Sequence, residues 1–135
     1  MRGLKDKIAI VGGAAPDNIG AATAVRLAEE GPAVVAADLN EAAARSVVDN
    51  IRALGGRAMA RSFDITDEAS YKELVDFTVK EFGRLDGLFN VAADLSAGTM
   101  GRDSDVISIP LDVWRHTMMS HSPATCTAFA SRCPS

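Results

Sequence analysis

Nine residues, Gly12-Gly13-Ala14-Ala15-Pro16-Asp17-Asn18-Ile19-Gly20, constrain this chain more than any other stretch. Before them stands Lys7-Ile8-Ala9-Ile10-Val11, a short apolar run rich in β-branched residues that reads as a buried strand. After them, from Ile19 to Glu30, small and apolar residues recur at helical spacing as Ala22, Val25, Leu27 and Ala28, and Gly31 ends the run. A glycine-rich turn between a buried strand and an alanine-rich helix implies a tight turn, or close approach of backbone to a ligand.

The alternation continues. Ala33 to Asp38 is apolar until its last residue, which suits a strand of a parallel sheet covered on both faces. Asn40 is placed to cap a helix from Glu41 to Leu54, whose Ala44, Val47, Val48, Ile51 and Leu54 step by three or four before Gly55-Gly56 stops it. Ala58 to Phe63 reads as a third strand. Thr66 then caps a third helix that buries Leu74, Val75, Phe77 and Val79 and ends at Gly83, and Leu85 to Val91 supplies a fourth strand. Short connections in this order imply right-handed crossovers. The expected fold is therefore α/β: the first half of a Rossmann-like, doubly wound parallel sheet, in strand order 3-2-1-4 with flanking helices. Ala93 to Ile109 reads as a loop, and Pro110 opens a further helix with Leu111, Val113 and Trp114.

Composition narrows the function. A net charge of -4, with no run of Lys or Arg, argues against a nucleic-acid or anionic-membrane surface. The first apolar run is too short for a signal peptide or a membrane span, so a cytoplasmic protein without a membrane partner is expected. Cys126 and Cys133 match no zinc spacing and neither His116 nor His121 completes a ligand set, so no metal site is expected and both cysteines read as free thiols.

The glycine turn has a chemical reading. A helix N-terminus offers unpaired N–H groups and partial positive charge, and glycine lets a pyrophosphate approach them; Gly13, Asn18, Ile19 and Gly20 are the candidates. Asp38, with Leu39 beside it, ends the second strand, where a carboxylate can accept the hydroxyls of an adenosine ribose and repel a 2′-phosphate. The turn holds no Lys or Arg, and Asp17 adds negative charge, so NAD is favoured over NADP.

These features resemble the short-chain dehydrogenases/reductases, whose turn usually reads T-G-x-x-x-G-x-G. Here Gly12 stands for the usual Thr, the turn is one residue longer, and Asn18 falls at the middle glycine, where its tolerance of a left-handed backbone would preserve the turn. The resemblance extends to Asp64 and Ile65 after the third strand, expected against the adenine. It also covers Asn90-Val91-Ala92-Ala93, where the family carries N-N-A-G; Asn90 would lock the central strands and Ala92 would leave room beside the cofactor ribose. It implies a dinucleotide partner, hydride transfer with an alcohol or ketone substrate, and family oligomers whose interface is incomplete here.

The family's catalytic Tyr-x-x-x-Lys pair and its upstream Ser have no counterpart. The single tyrosine, Tyr71, is followed four residues later by Val75 and reads as a surface or packing residue, so no catalytic residue is assigned. Residues 1–118 are expected to form an incomplete NAD-binding domain of a truncated reading frame. Residues 119–135 are expected to be an irregular tail, whose codons could be read one nucleotide out of frame. Such a domain would leave Leu88, Phe89 and Val91 at an uncovered sheet edge. The alternatives are a non-catalytic dinucleotide-binding module or pseudoenzyme, and a non-functional fragment.

Overall fold

The computed structural model describes residues 3–92, 102 and 107–120, with backbone alone for 116–120; the expected loop at 93–109 falls largely outside these residues, as does the expected tail beyond residue 120. The elements run β1 (Ile8–Gly12), α1 (Ile19–Glu29), β2 (Ala33–Asp38), α2 (Glu41–Ala53), β3 (Arg57–Ser62), α3 (Glu68–Phe82), β4 (Gly87–Asn90) and α4 (Leu111–Ser120). All three strand pairings are parallel, and the sheet order is β3-β2-β1-β4. The chain steps outward from β1 through β2 to β3, then returns to the other side of β1 for β4. The topological switch therefore lies between β1 and β4, the place where open α/β sheets bind ligands beyond their carboxyl ends.

Strand alternation explains the two cores. Val11, Val34, Ala36 and Ala58 pack with Ala24 of α1 and with Ala44, Val47, Val48 and Ile51 of α2. Their neighbours Ile10, Val35 and Ala37 face the other way, into a cluster with Phe63, Tyr71, Leu74 and Val75. Two covered faces require both phases of β2 to be apolar, so Ala33 to Ala37 are all buried. On α1 the fully buried side chain is Ala24, whereas Ala22, expected on the core face, is exposed. Leu54, expected to extend the apolar stripe of α2, is also exposed, because the helix ends at Ala53.

Caps set the helix ends. Asn40 accepts hydrogen bonds from the Ala42 and Ala43 N–H groups at 3.1 and 3.4 Å, the expected start of α2. The cap of α3 is Asp67, which accepts from Ala69 N at 3.0 Å, and not Thr66; the Thr66 hydroxyl instead donates to Asp64 Oδ1 at 2.7 Å. Gly83 ends α3 at φ 79°, a left-handed conformation that suits glycine. β3 and β4 are placed by their ladders: Arg57 joins opposite Ala33, and β4 starts at Gly87 opposite Ala9.

Below β4, Asp86 ties the amino ends of two strands together. Its backbone N–H donates to Ile8 O at 2.9 Å, and its carboxylate accepts from Ile8 N at 2.9 Å and Lys7 Nζ at 3.2 Å, and also from Arg84. Burial pushes this carboxyl up, but Arg84, the Ile8 N–H and Lys7 together hold it below its ordinary value. Among the described residues no helix is long and apolar enough to cross a membrane.

Candidate functional site

The turn after β1 is folded back on the sheet. Gly13 N and Ala14 N both donate to the Ala37 carbonyl, at 2.8 and 3.0 Å, which pins the start of the turn to the end of β2. Gly13 sits at φ 82°, and a Cβ there would lie 2.6 Å from Ala92 N and 2.7 Å from Ala92 Cα. A Cβ on Gly20 would collide with the Gly13 carbonyl, whose carbon is 2.8 Å away. Bare backbone at both ends of the turn therefore lets α1 begin directly against the β1 exit, and lets β4 leave alongside it.

Within the turn Asp17 takes φ 60°. Asn18, expected to hold the left-handed position, is extended at φ -122°, ψ 173° and caps α1. Its Oδ1 accepts from Ala21 N at 2.8 Å, and its Nδ2 donates to Gly13 O at 2.9 Å. Ala22 N donates to the Asn18 carbonyl at 3.1 Å. Ile19 and Gly20 are then the first-turn residues whose N–H groups have no carbonyl one turn back inside the helix. The Ile19 side chain is 67% exposed beside them.

At the end of β2, Asp38 is half-buried, and its Oδ1 accepts from Asn40 N at 3.0 Å. Leu39 is 71% exposed at the same edge. Arg61 of β3 lies 4.6 Å over the Phe77 ring, and Arg45 of α2 bonds Glu41 at 2.6 Å. That bond to Arg45 holds the Glu41 carboxyl below its usual value.

Beyond β3, Asp64 accepts from both Thr66 N and Thr66 Oγ1, at 2.8 and 2.7 Å, so its carboxylate shapes its own loop. Ile65 is half-buried against the α3-side core. At the end of β4, Asn90 is in register with Gly12, and its Oδ1 accepts from Ala92 N at 3.4 Å. The cross-strand link at this point is made by backbone, Val91 N to Gly12 O at 3.0 Å.

Gly13, Asn18, Gly20, Asn90 and Ala92 thus gather around the switch point. Asp38 and Leu39 stand one strand away, and Asp64 and Ile65 follow the strand beyond. Two contributors lie outside the candidate site residues. A Cβ on Gly12 would lie 2.9 Å from Asn90 Oδ1 and 3.2 Å from the Phe63 ring, so those side chains would have to shift to admit one. Ala37 matters only through its carbonyl, which no residue pattern reveals. Tyr71 is a packing residue, 1% exposed with its ring edge-on to Phe63 at 4.9 Å. Among the described residues no group of acidic, His or Cys side chains could hold a metal.

Residues 7–128 match the short chain dehydrogenase family model. Over 101 residues the chain is 43% identical to the 2,5-dichloro-2,5-cyclohexadiene-1,4-diol dehydrogenase of Sphingobium indicum, a match covering 75% of this chain and 40% of that protein. It is 36% identical over 115 residues to the cyclohexanol dehydrogenase of an Acinetobacter species, covering 85% and 43% respectively. A short chain dehydrogenase from Mycobacterium smegmatis superposes with a TM-score of 0.81 at 30% identity, over 95% of this chain and 50% of that one. The chain therefore spans half or less of these relatives, and within that span its strand order is that of the family: it belongs to the short chain dehydrogenase family.

Proposed function

We propose that this chain supplies the NAD-binding part of an oxidoreductase that acts on alcohols or ketones. The observation that carries the reading is the collision a Cβ on Gly20 would make with the Gly13 carbonyl. That apposition brings the amino end of α1 to the carboxyl edge of the sheet at its switch point, where backbone N–H groups and the helix dipole favour a pyrophosphate. The Ile19 and Gly20 N–H groups would take the phosphates, with Asn18 and Gly13 shaping the turn. Asp38, one oxygen held by Asn40 N–H, would offer the other to the adenosine ribose, with Leu39 exposed beside it. Ile65 and Asp64 would border the adenine; Ala92 and Asn90 would border the second ribose. When bound, NAD supplies the hydride acceptor.

Preference for NAD over NADP is supported by charge. A 2′-phosphate would meet the Asp38 carboxylate, while Arg45 is paired with Glu41 and Arg61 lies over Phe77. A second reading, a dinucleotide-binding module without turnover, is favoured by the one tyrosine of these 135 residues being buried against Phe63 with Val75 four positions on. Calorimetric titration with NAD and NADP tests both. Saturable NAD binding that falls about tenfold in Asp38→Ala, roughly the worth of one charge-assisted hydrogen bond, is expected. A folded chain that binds neither nucleotide would overturn both. Alcohol-dependent NAD reduction by the chain would overturn the second.

A further inference from the structure

We infer that Asn18 is a positioning residue that clamps the lengthened turn into its phosphate-binding shape. The inference rests on the dinucleotide reading and deepens it, because Asn18 then acts through Gly13 and α1 and not by touching the cofactor.

The turn must bring Gly20 against the Gly13 carbonyl, yet its middle stretch gives it little support. Pro16, Asp17 and Asn18 are all exposed, and Asp17 carries a left-handed backbone that costs a non-glycine residue free energy. The Asn18 side chain joins the two ends of the turn. Its carbonyl oxygen takes the Ala21 N–H at 2.8 Å, and its amide nitrogen gives a hydrogen to Gly13 O at 2.9 Å. That carbonyl is the group Gly20 abuts. One side chain therefore fixes both the start of α1 and the backbone it must lie against.

The side-chain amide offers a donor and an acceptor on two separate atoms of one planar group. A serine or aspartate retains an oxygen for the helix cap. An ionised aspartate cannot donate to Gly13 O, and a serine carries its donor and acceptor on a single oxygen, one bond closer to the backbone than the amide groups of Asn18. A glycine at this position would supply neither bond. The cap and the tether are consequently separable by substitution.

The test compares the wild-type chain with Asn18→Ser and Asn18→Asp, with NAD, ADP and adenosine as probes. Thermal melts and hydrogen exchange at the Ala21 amide establish that α1 is still capped. Calorimetry then reads the binding of NAD and ADP, and ligand-observed NMR reads the weaker adenosine. The expected result for Asn18→Ser is a melting temperature and Ala21 protection close to wild type, with about tenfold weaker NAD and ADP binding, the equivalent of one lost hydrogen bond. Adenosine, which has no phosphate, is expected to bind both proteins alike. Asn18→Asp should show the same pattern with a larger loss, since it brings negative charge towards the phosphates. Equal NAD affinity in wild type and Asn18→Ser would overturn the inference, as would parallel losses for NAD and adenosine, the mark of a general loosening. Failure of the folded wild-type chain to bind NAD would overturn the dinucleotide reading before any variant is compared, and the clamp's role with it.

Discussion

A methyl group on Gly20 would sit 2.8 Å from the Gly13 carbonyl carbon and 3.1 Å from Ala14 Cα, and both are backbone atoms that cannot swing aside. Gly20→Ala is therefore expected to lower stability by roughly 1–3 kcal/mol, the usual range for overpacking. It should also weaken NAD binding more than tenfold; urea midpoints and titration read the two effects separately. Asp86 makes a prediction about pH. Its folded pKa is held below the ordinary 3.8, so its contribution to stability is fully present above that value. The contribution is lost as pH falls through the lower, folded value. The urea midpoint of Asp86→Asn should accordingly trail that of wild type at pH 7, and the gap should close as both are acidified below pH 3.8. A gap that persists unchanged would show that the carboxylate's charge is not what matters. At this scale the sequence was readable in kind but not in detail. Asp17 and Asn18 both tolerate a left-handed backbone, so composition could not say which would adopt it; the choice falls to the residue whose side chain is not needed for the cap.

Elements were more legible than their ends. β2 runs over Ala33–Asp38 as its apolar pattern implies, because both faces are covered and every position is constrained. β3 is half exposed along its outer side and moves by one residue, since its ladder with β2 decides its limits where hydrophobicity does not. The start of α3 shows how a local competition escapes sequence reading. Thr66 and Asp67 are both good cap residues, but Asp64 captures the Thr66 hydroxyl and leaves Asp67 to accept from Ala69 N. Asp67→Ala should therefore cost about 1 kcal/mol in chemical denaturation, as loss of a helix cap does. A loss in Thr66→Ala larger than in Asp67→Ala would place the cap at the earlier residue.

For the whole molecule, the strand order is what places the candidate site; alternation of elements implies a parallel sheet, and the reversal between β1 and β4 puts the glycine turn, Asn90 and Ala92 at one crevice. The same order makes β4 an outer strand among the described residues. Alternation turns Leu88 towards the α3-side core and Phe89 to the opposite face, where it remains 41% exposed. An apolar outer strand carrying an exposed aromatic ring is a template for pairing with another chain. Phe89→Lys puts a charge on that strand without touching Gly13, Gly20 or Asp38, and charge at a sheet edge opposes such pairing. Light scattering during size-exclusion chromatography should then show concentration-dependent association of the wild-type chain that is reduced in Phe89→Lys, while NAD affinity stays the same. Association unchanged by the lysine would move the sticky surface elsewhere, with the exposed Leu111 and Trp114 of α4 the next residues to substitute. A parallel loss of NAD binding would mean instead that the β4 face and the crevice are coupled through the Val91–Gly12 backbone bond that joins them.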